Sequence, residues 1–376
     1  MLLSTIEVTN FRNLTGKLVW GPHLNIIFGR NGQGKTNWLE AIYVLARTKS
    51  FRTQRLQEAI KFNENVAVVQ GTVTAGQAIQ RDLQVTLQNN TKTIQVNGKR
   101  EALTRYLSQL QVFSFTAADL EIVRGMPDAR RRFLDRSIAS IKPAYIQTIA
   151  DYGRVLKQKN KLLQIASESQ YRLEQLADLL GPWNEQLIHL GAEVHRERSN
   201  YVERLNQTLE RQLFDRKEII TRYLSSIARD ENTGNYEEVL RERLKLRMPA
   251  EMASGHALIG PHRDDLEIHL DGREIKVFGS SGQQRSALLL LDLAAISLYN
   301  LDSNDAPVFV IDDVDAELDE GRIRHLLEYL ENRTQTFITT SKRTHVEGFL
   351  SRAEVFEIEQ GIVRESCATD TLFVGN

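Results

Sequence analysis

The spacing of apolar residues changes character along this chain. Leu2 to Val8, Leu18-Val19-Trp20 and Leu24 to Phe28 are short apolar runs, with a turn at Asn10-Phe11-Arg12-Asn13. Runs of that length between polar turn residues predict strands. From Thr36 to Leu45 the apolar positions 38, 39, 42 and 45 follow a helical period. Val66 to Val69, Leu83 to Leu87, Thr93 to Val96 and Val112 to Phe115 read as strands again, with Asn97-Gly98 as a hairpin turn. At Gly125-Met126-Pro127 the pattern turns helical, and no convincing strand follows until about residue 251. One helix is marked by Tyr145, Ile149, Tyr152, Val155-Leu156 and Leu162-Leu163. A second runs from about Glu174, broken or restarted at Gly181-Pro182, to about Phe214. Neither sustains the heptads of a long coiled coil. Strands return at Ala257-Leu258-Ile259 and Leu266 to Leu270, then an apolar helix from Ala287 to Leu298. Val308-Phe309-Val310-Ile311 is apolar throughout, the mark of a strand buried on both faces of a parallel sheet. A helix from about Gly321 to Glu331, a strand from Gln335 to Thr340 and an edge strand after Gly361 complete an α/β alternation.

The pattern predicts an α/β domain interrupted by an α-helical one. Residues 1–126 and 252–376 form the two parts of the first, and 127–251 the insert. A chain of 376 residues is long enough for two domains. Its 41% hydrophobic and 26% charged residues are those of an ordinary globular protein. No apolar run approaches a bilayer span and the start does not read as a signal peptide, so the cytoplasm is the expected compartment and no membrane partner is expected. A single cysteine, Cys367, excludes internal disulfides and thiolate metal clusters. A formal net charge of −1 gives no global attraction to polyanions, so any such binding needs a local patch.

The chemistry is concentrated in three places. Gly29-Arg30-Asn31-Gly32-Gln33-Gly34-Lys35-Thr36 fits the phosphate-loop pattern at every fixed position, between a predicted strand and a predicted helix. Glycines let consecutive amides curl around phosphate oxygens, Lys35 neutralises the outer phosphates, and the Thr36 hydroxyl suits Mg²⁺. Asp312-Asp313 ends the apolar run 308–311, a Walker B arrangement in which Asp312 would hold Mg²⁺ and Asp313 would polarise the attacking water. Lys35 and Asp312 stand 277 positions apart, which marks an ATPase whose halves lie at opposite ends of the chain. Ser280-Ser281-Gly282-Gln283 opens a helix 32 residues before Asp312 and offers a hydroxyl and free amides to an anion. It looks like the signature with which ABC-type ATPases reach a γ-phosphate on the opposite subunit.

Further marks are Gly125-Met126-Pro127 with Arg130-Arg131-Arg132-Phe133-Leu134-Asp135, Arg154 to Asn160, Gly260-Pro261-His262-Arg263-Asp264-Asp265-Leu266, and Glu317-Leu318-Asp319. Over nearly its whole length the chain resembles the RecF family of bacterial recombinational-repair ATPases, related to the heads of SMC and Rad50 proteins. It departs from that family at Ala117-Ala118, where Pro-Glu is usual, and at Ser281, where glutamine is usual. The resemblance implies an ABC-type ATPase head, a mixed sheet with a β subdomain, carrying an inserted helical domain. It implies Arg12 and Asn13 beside the nucleotide, Ser280, Gly282 and Gln283 on a partner's nucleotide, and slow ATP hydrolysis that releases an ATP-dependent homodimer. The partners it implies are DNA, duplex and single-strand gap junction, together with RecO, RecR and RecA.

Residues 127–161 hold nine Lys/Arg against three Asp/Glu. Arg131, Lys157 and Lys161 are the expected contacts to DNA phosphates, without sequence reading. The alternative is a chromosome-structural ATPase of the SMC or Rad50 kind, which needs far longer coiled-coil arms. A nuclease fusion would need an acidic metal cluster that the sequence does not offer.

Overall fold

The computed structural model describes residues 1–75, 79–168, 172–209, 218–227, 235–303 and 305–367. β1 (Leu2–Phe11) turns at Arg12-Asn13 into β2 (Leu14–Val19), and β3 (Leu24–Phe28) leads to α1 (Lys35–Arg47). β4 (Val66–Ala75), β5 (Ile79–Gln88), β6 (Thr91–Val96) and β7 (Lys99–Arg100) are followed by α2 (Leu103–Leu107) and β8 (Val112–Phe115). Then come α3 (Glu121–Arg124), α4 (Pro127–Ile141), α5 (Tyr145–Glu168), α6 (Leu173–Thr208), β9 (Ile219–Leu224) and α7 (Tyr236–Ser254). β10 (Asp265–Leu270), β11 (Arg273–Glu274) and α8 (Ile275–Phe278) precede α9 (Ser281–Ser303) and β12 (Val308–Ile311). α10 (Val314–Glu317), α11 (Glu320–Leu330), β13 (Gln335–Thr340), β14 (Ala353–Glu359) and β15 (Ile362–Cys367) close the described chain.

Two compact units result. The first takes Met1–Leu120 and the chain from Ser280 onward; the second takes Glu121–Leu209 and Glu218–Gly279. In the first unit an antiparallel sheet, ordered β2-β1-β4-β5-β6-β7, comes from the N-terminal part alone. The Asn97-Gly98 turn joins β6 to β7 with both residues at positive φ, as that dipeptide predicts. The other sheet, ordered β15-β14-β3-β13-β12-β8, interleaves strands from both ends of the chain. β3 lies between β13 and β14, and β8 borders β12, all parallel. β12 and β13 are buried at every position, which is why 308–311 carries no polar residue. α1 packs on both sheets and is buried from Trp38 through Ala46. Trp20 meets Trp38, Phe337 and Phe356 edge-on, joining elements from both chain ends through one aromatic cluster. α9 is apolar and long enough to cross a membrane, which the sequence reading did not count, but 72% of its most apolar window is buried inside the protein.

The second unit corrects four expectations. Ile219–Leu224 is a strand, β9, within the stretch expected to have none; it pairs antiparallel with β10. That pairing draws residues 252–279, expected in the C-terminal part of the head, into the helical unit. α6 runs through Gly181-Pro182 unbroken. Its apolar residues are buried on both sides of the proline, Leu176 and Leu180 against Leu163 and Ala257, and Ile188 against Leu240 and Leu244. That packing outweighs one missing helical hydrogen bond. Its expected end at Phe214 lies outside the described residues. Ala257-Leu258-Ile259 is irregular, not a strand, because its amides bond side chains: Ala257 N–H to Asn160 and Leu258 N–H to Glu251.

The second unit also buries charge. Lys159 and Glu251 are 0% and 1% exposed and pair at 2.7 Å. Arg198 forks onto both Asp135 oxygens at 2.9 Å and donates to the Pro261 carbonyl. Arg130 forks onto Asp265. Removing one member of such a pair leaves an uncompensated buried charge. Lys159→Ala should therefore destabilise the protein by about 3–5 kcal/mol. Lys159→Met with Glu251→Gln, which keeps the acceptor for Leu258 N–H, should recover most of that loss. Urea unfolding followed by circular dichroism measures both; a double variant no more stable than the single would contradict the account.

Candidate nucleotide-binding site

The buried strand β3 delivers the chain to Gly29, where φ is +151° and a Cβ would stand 2.5 Å from the Ile358 carbonyl. Gly34, at φ +105°, lies against Asn13, whose amide oxygen a Cβ would meet at 2.9 Å. Gly32 is also at positive φ. These backbone states and close approaches require glycine. The loop is held from outside by the turn between β14 and β15. Gly361 N–H donates to the Gln33 carbonyl at 2.6 Å, and Gln360 N–H to the Gln33 side chain at 2.8 Å. α1 starts at Lys35, so the first amides of a 13-residue helix face the loop.

The Lys35 ammonium donates to the carbonyls of Gly29 at 2.7 Å and Arg30 at 3.1 Å, and lies 3.5 Å from the Asn31 side chain. Burial lowers its pKa, opposed by the charges of Asp313, Asp315 and Asp312. The Thr36 hydroxyl donates to Asp312 at 2.9 Å, and the Thr339 hydroxyl donates to the same carboxylate oxygen at 2.7 Å. Thr339 also accepts from Asp313 N–H at 2.7 Å. Asp313 sits at φ +52°, in the left-handed region that a non-glycine residue rarely takes. Burial raises its carboxyl pKa, reinforced by Asp315 and Asp312 and opposed by Lys35. The C-terminal ends of β3, β12 and β13 thus bring together the loop 29–36, Asp312 and Asp313. An aligned hydroxyl and carboxylate are hard oxygen donors of the kind Mg²⁺ takes, with phosphate oxygens and water completing its shell.

Asn13 accepts from Asn37 at 2.6 Å and packs on the loop. Arg12 is committed differently: its guanidinium forks onto the buried carboxylate of Glu40 at 3.0 and 2.8 Å and donates to the Glu58 carbonyl. The pattern of residues did not single out Glu40, Thr339 or the Gln33 clasp. A polar Thr339-Thr340 ending an apolar strand, and a glutamate among the apolar positions of α1, were the available signals.

Ser280 is exposed and caps α9. Its hydroxyl accepts from Gln283 N–H at 3.3 Å, while the Gln283 side chain accepts from Ser280 N–H at 2.8 Å. This capping box fixes Ser280, Gly282 and Gln283 relative to one another. Among the described residues, neither Ser280 nor Gln283 bonds the phosphate loop.

Part of the basic stretch is internal or already paired. Arg130 and Lys159 are buried in pairs, and Arg132, Lys142 and Arg154 pair with Asp128, Glu197 and Asp151. Arg131, expected on a DNA face, is a correction: it donates to the Asp264 carbonyl at 2.8 Å and is largely buried. Lys157 and Lys161 on α5 are exposed, with no ion pair among the described residues.

Comparison with known proteins agrees with this geometry. Residues 2–364 match the family model described as RecF/RecN/SMC N terminal domain. The chain is 35% identical over 373 residues to the DNA replication and repair protein RecF of Shouchella clausii (strain KSM-K16), covering 97% of this chain and 99% of that protein. It is 35% identical to the protein of that name from Latilactobacillus sakei subsp. sakei (strain 23K), covering 98% of this chain and all of that one. Among solved structures, the recombination mediator protein RecF with ATP, of the RecFOR pathway, superposes with a TM-score of 0.88 at 32% identity over 98% of both chains. An Smc head bound to the C-winged helix domain of ScpA shares the fold, with a TM-score of 0.56 at 14% identity over 98% of both chains.

Thr339 orients Asp312 without facing the loop itself. Thr339→Val should weaken Mg²⁺-supported nucleotide binding about tenfold, the usual cost of removing a hydrogen bond behind a metal ligand. Binding without Mg²⁺ should be unchanged. Calorimetry in the two conditions separates this from a general loss of the fold, which would lower both equally.

Proposed function

The chain belongs to the RecF/RecN/SMC family, and within it to the RecF proteins of DNA replication and repair; from that membership we propose that it is an ATP-operated clamp on DNA. The observation that carries the proposal is the Thr36–Asp312 hydrogen bond, which joins phosphate loop and acidic strand end into one site. The loop amides and the start of α1 bind the phosphate chain of ATP. Lys35 leaves the Gly29 and Arg30 carbonyls to take a terminal phosphate oxygen. Thr36 and Asp312 hold Mg²⁺, which offsets charge on the phosphates when bound. Asp313 orients the attacking water.

Ser280 acts on a second copy. It already accepts from its own Gln283 amide, so its hydroxyl proton remains available to a phosphate oxygen. Two copies placed head to tail make two composite sites about a twofold axis. ATP closes the pair and slow hydrolysis reopens it. Lys157 and Lys161 supply backbone contacts to DNA at a single-strand gap. RecO and RecR cooperate there in loading RecA, a role inferred from kinship.

Ser280→Arg tests the sandwich. The monomer should bind ATP like the unaltered protein, while ATP- and Mg²⁺-dependent dimers disappear in sedimentation velocity. Normal dimers, or ATP affinity lost in the monomer, would refute it. Asp313 supplies a pH test. A raised carboxyl pKa means protonation begins above the ordinary aspartate value of about 3.9. Turnover should therefore fall as pH drops through that raised value. Asp313→Asn should turn over slowly at every pH, bind ATP normally and lack the acid limb in a steady-state pH profile.

A further inference from the structure

We propose that Met126, Val277 and Phe278 form an apolar contact surface that docks on a second copy of this chain when the nucleotide sandwich closes. The inference rests on the head-to-tail reading above and adds the side chains that hold the copies together. Within the second unit, the short helices α3 and α8 pack on each other. Each ends in a glycine folded onto its own first residue. Gly125 N–H donates to the Glu121 carbonyl and Gly279 N–H to the Ile275 carbonyl, both at 2.9 Å. A Cβ on either glycine would stand 2.5 Å from that same carbonyl oxygen. Both turns are therefore tight, and the residues beside them are held in fixed positions.

Those residues are apolar and face water. Met126 follows Gly125 and is 73% exposed; Val277 and Phe278 precede Gly279 and are 64% and 67% exposed. Ile275, at the start of α8, is 1% exposed and anchors the helix. Exposed apolar residues scattered singly need no explanation, but here two are adjacent at the end of α8 and a third follows α3, the helix that packs on it. An exposed phenylalanine next to a valine, together with an exposed methionine, has the composition of an interface anchor. Because it is already ordered, docking it loses little conformational entropy.

Covalent geometry names the occupant. Phe278 lies two residues before Ser280, so their Cα atoms are within about 7.6 Å of each other. A surface that brings Ser280 against a partner's phosphate must bring Phe278 close to that partner as well. Contacts to phosphate orient the copies but require polar groups to shed water, whereas burying Phe278, Val277 and Met126 is favourable by itself. In a twofold dimer the patch is used twice.

The test is sedimentation velocity with ATP and Mg²⁺ on Phe278→Ser and Met126→Ser, with thermal unfolding and monomer ATP affinity as controls. Both side chains are exposed, so folding and ATP affinity should match the unaltered protein. The dimer dissociation constant should rise at least about tenfold, a loss of about 1.4 kcal/mol. If Phe278→Ser dimerises normally while Ser280→Arg does not, the patch is refuted and the sandwich stands. If Ser280→Arg also dimerises normally, both fall. A photoreactive benzoylphenylalanine in place of Phe278 gives a second readout. A cross-link to another copy, formed only with ATP and Mg²⁺, supports the patch; a cross-link to added DNA alone, or none, overturns it.

Discussion

The hydrogen bond between Thr36 and Asp312 spans 276 positions of sequence, and the rest of the first unit is arranged so that it can form. It requires β3 and β12 to end at the same edge of one sheet. Only β13 separates them, and β13 contributes Thr339 to the same carboxylate. A parallel sheet buries both faces, which favours apolar residues leading up to the edge where the ligand sits and polar ones at that edge. Phe28 gives way to Gly29, Ile311 to Asp312, and Ile338 to Thr339 in that way. The Trp20 cluster and the sandwiched α1 hold those strand ends in register.

The second unit obeys a different constraint. Several of its arginines and lysines are internal, held by a carboxylate or carbonyl from a distant part of the unit. Arg130, Arg131 and Arg198 together bind Asp265, the Asp264 and Pro261 carbonyls, and Asp135. The run from Gly260 to Leu266 therefore serves as the hub onto which α4 and α6 attach. Asp264 itself accepts from the Tyr223 hydroxyl and the Ser226 amide, which ties β9 into the same hub. Arginine suits this task because its planar fork satisfies two acceptors at once.

This difference explains what the sequence disclosed. The phosphate loop, the apolar strand 308–311 and its acidic end were legible because each follows from local geometry: a glycine turn, a doubly buried strand, a carboxylate at its edge. The helices α1, α5 and α11 were legible from period alone. β9 was not, because Ile219 to Leu224 alternates only briefly and pairs with a strand more than 40 residues away. The charge of residues 127–161 misplaced Arg131 for a related reason. A count of basic residues cannot tell an arginine facing water from one forked onto a carboxylate, since the partner, Asp265 for Arg130, lies 135 positions on. Ser280 was legible as a helix cap, and its bond to Gln283 bears that out locally.

The clasp on Gln33 gives this architecture a schedule. Residues 29–36 leave the ribosome early, but Asp312, Thr339, Gln360 and Gly361, which shape and hold the loop, come last. At about 5–20 residues per second, roughly 15–65 s of synthesis separate the loop from its clasp. For most of that interval β3 has neither of its parallel neighbours, and an unpaired apolar strand is exposed to wrong pairings. The same order of events acts as a length check. A chain interrupted anywhere before β14 has a complete phosphate-loop sequence yet lacks the strands and turn that hold the loop in shape.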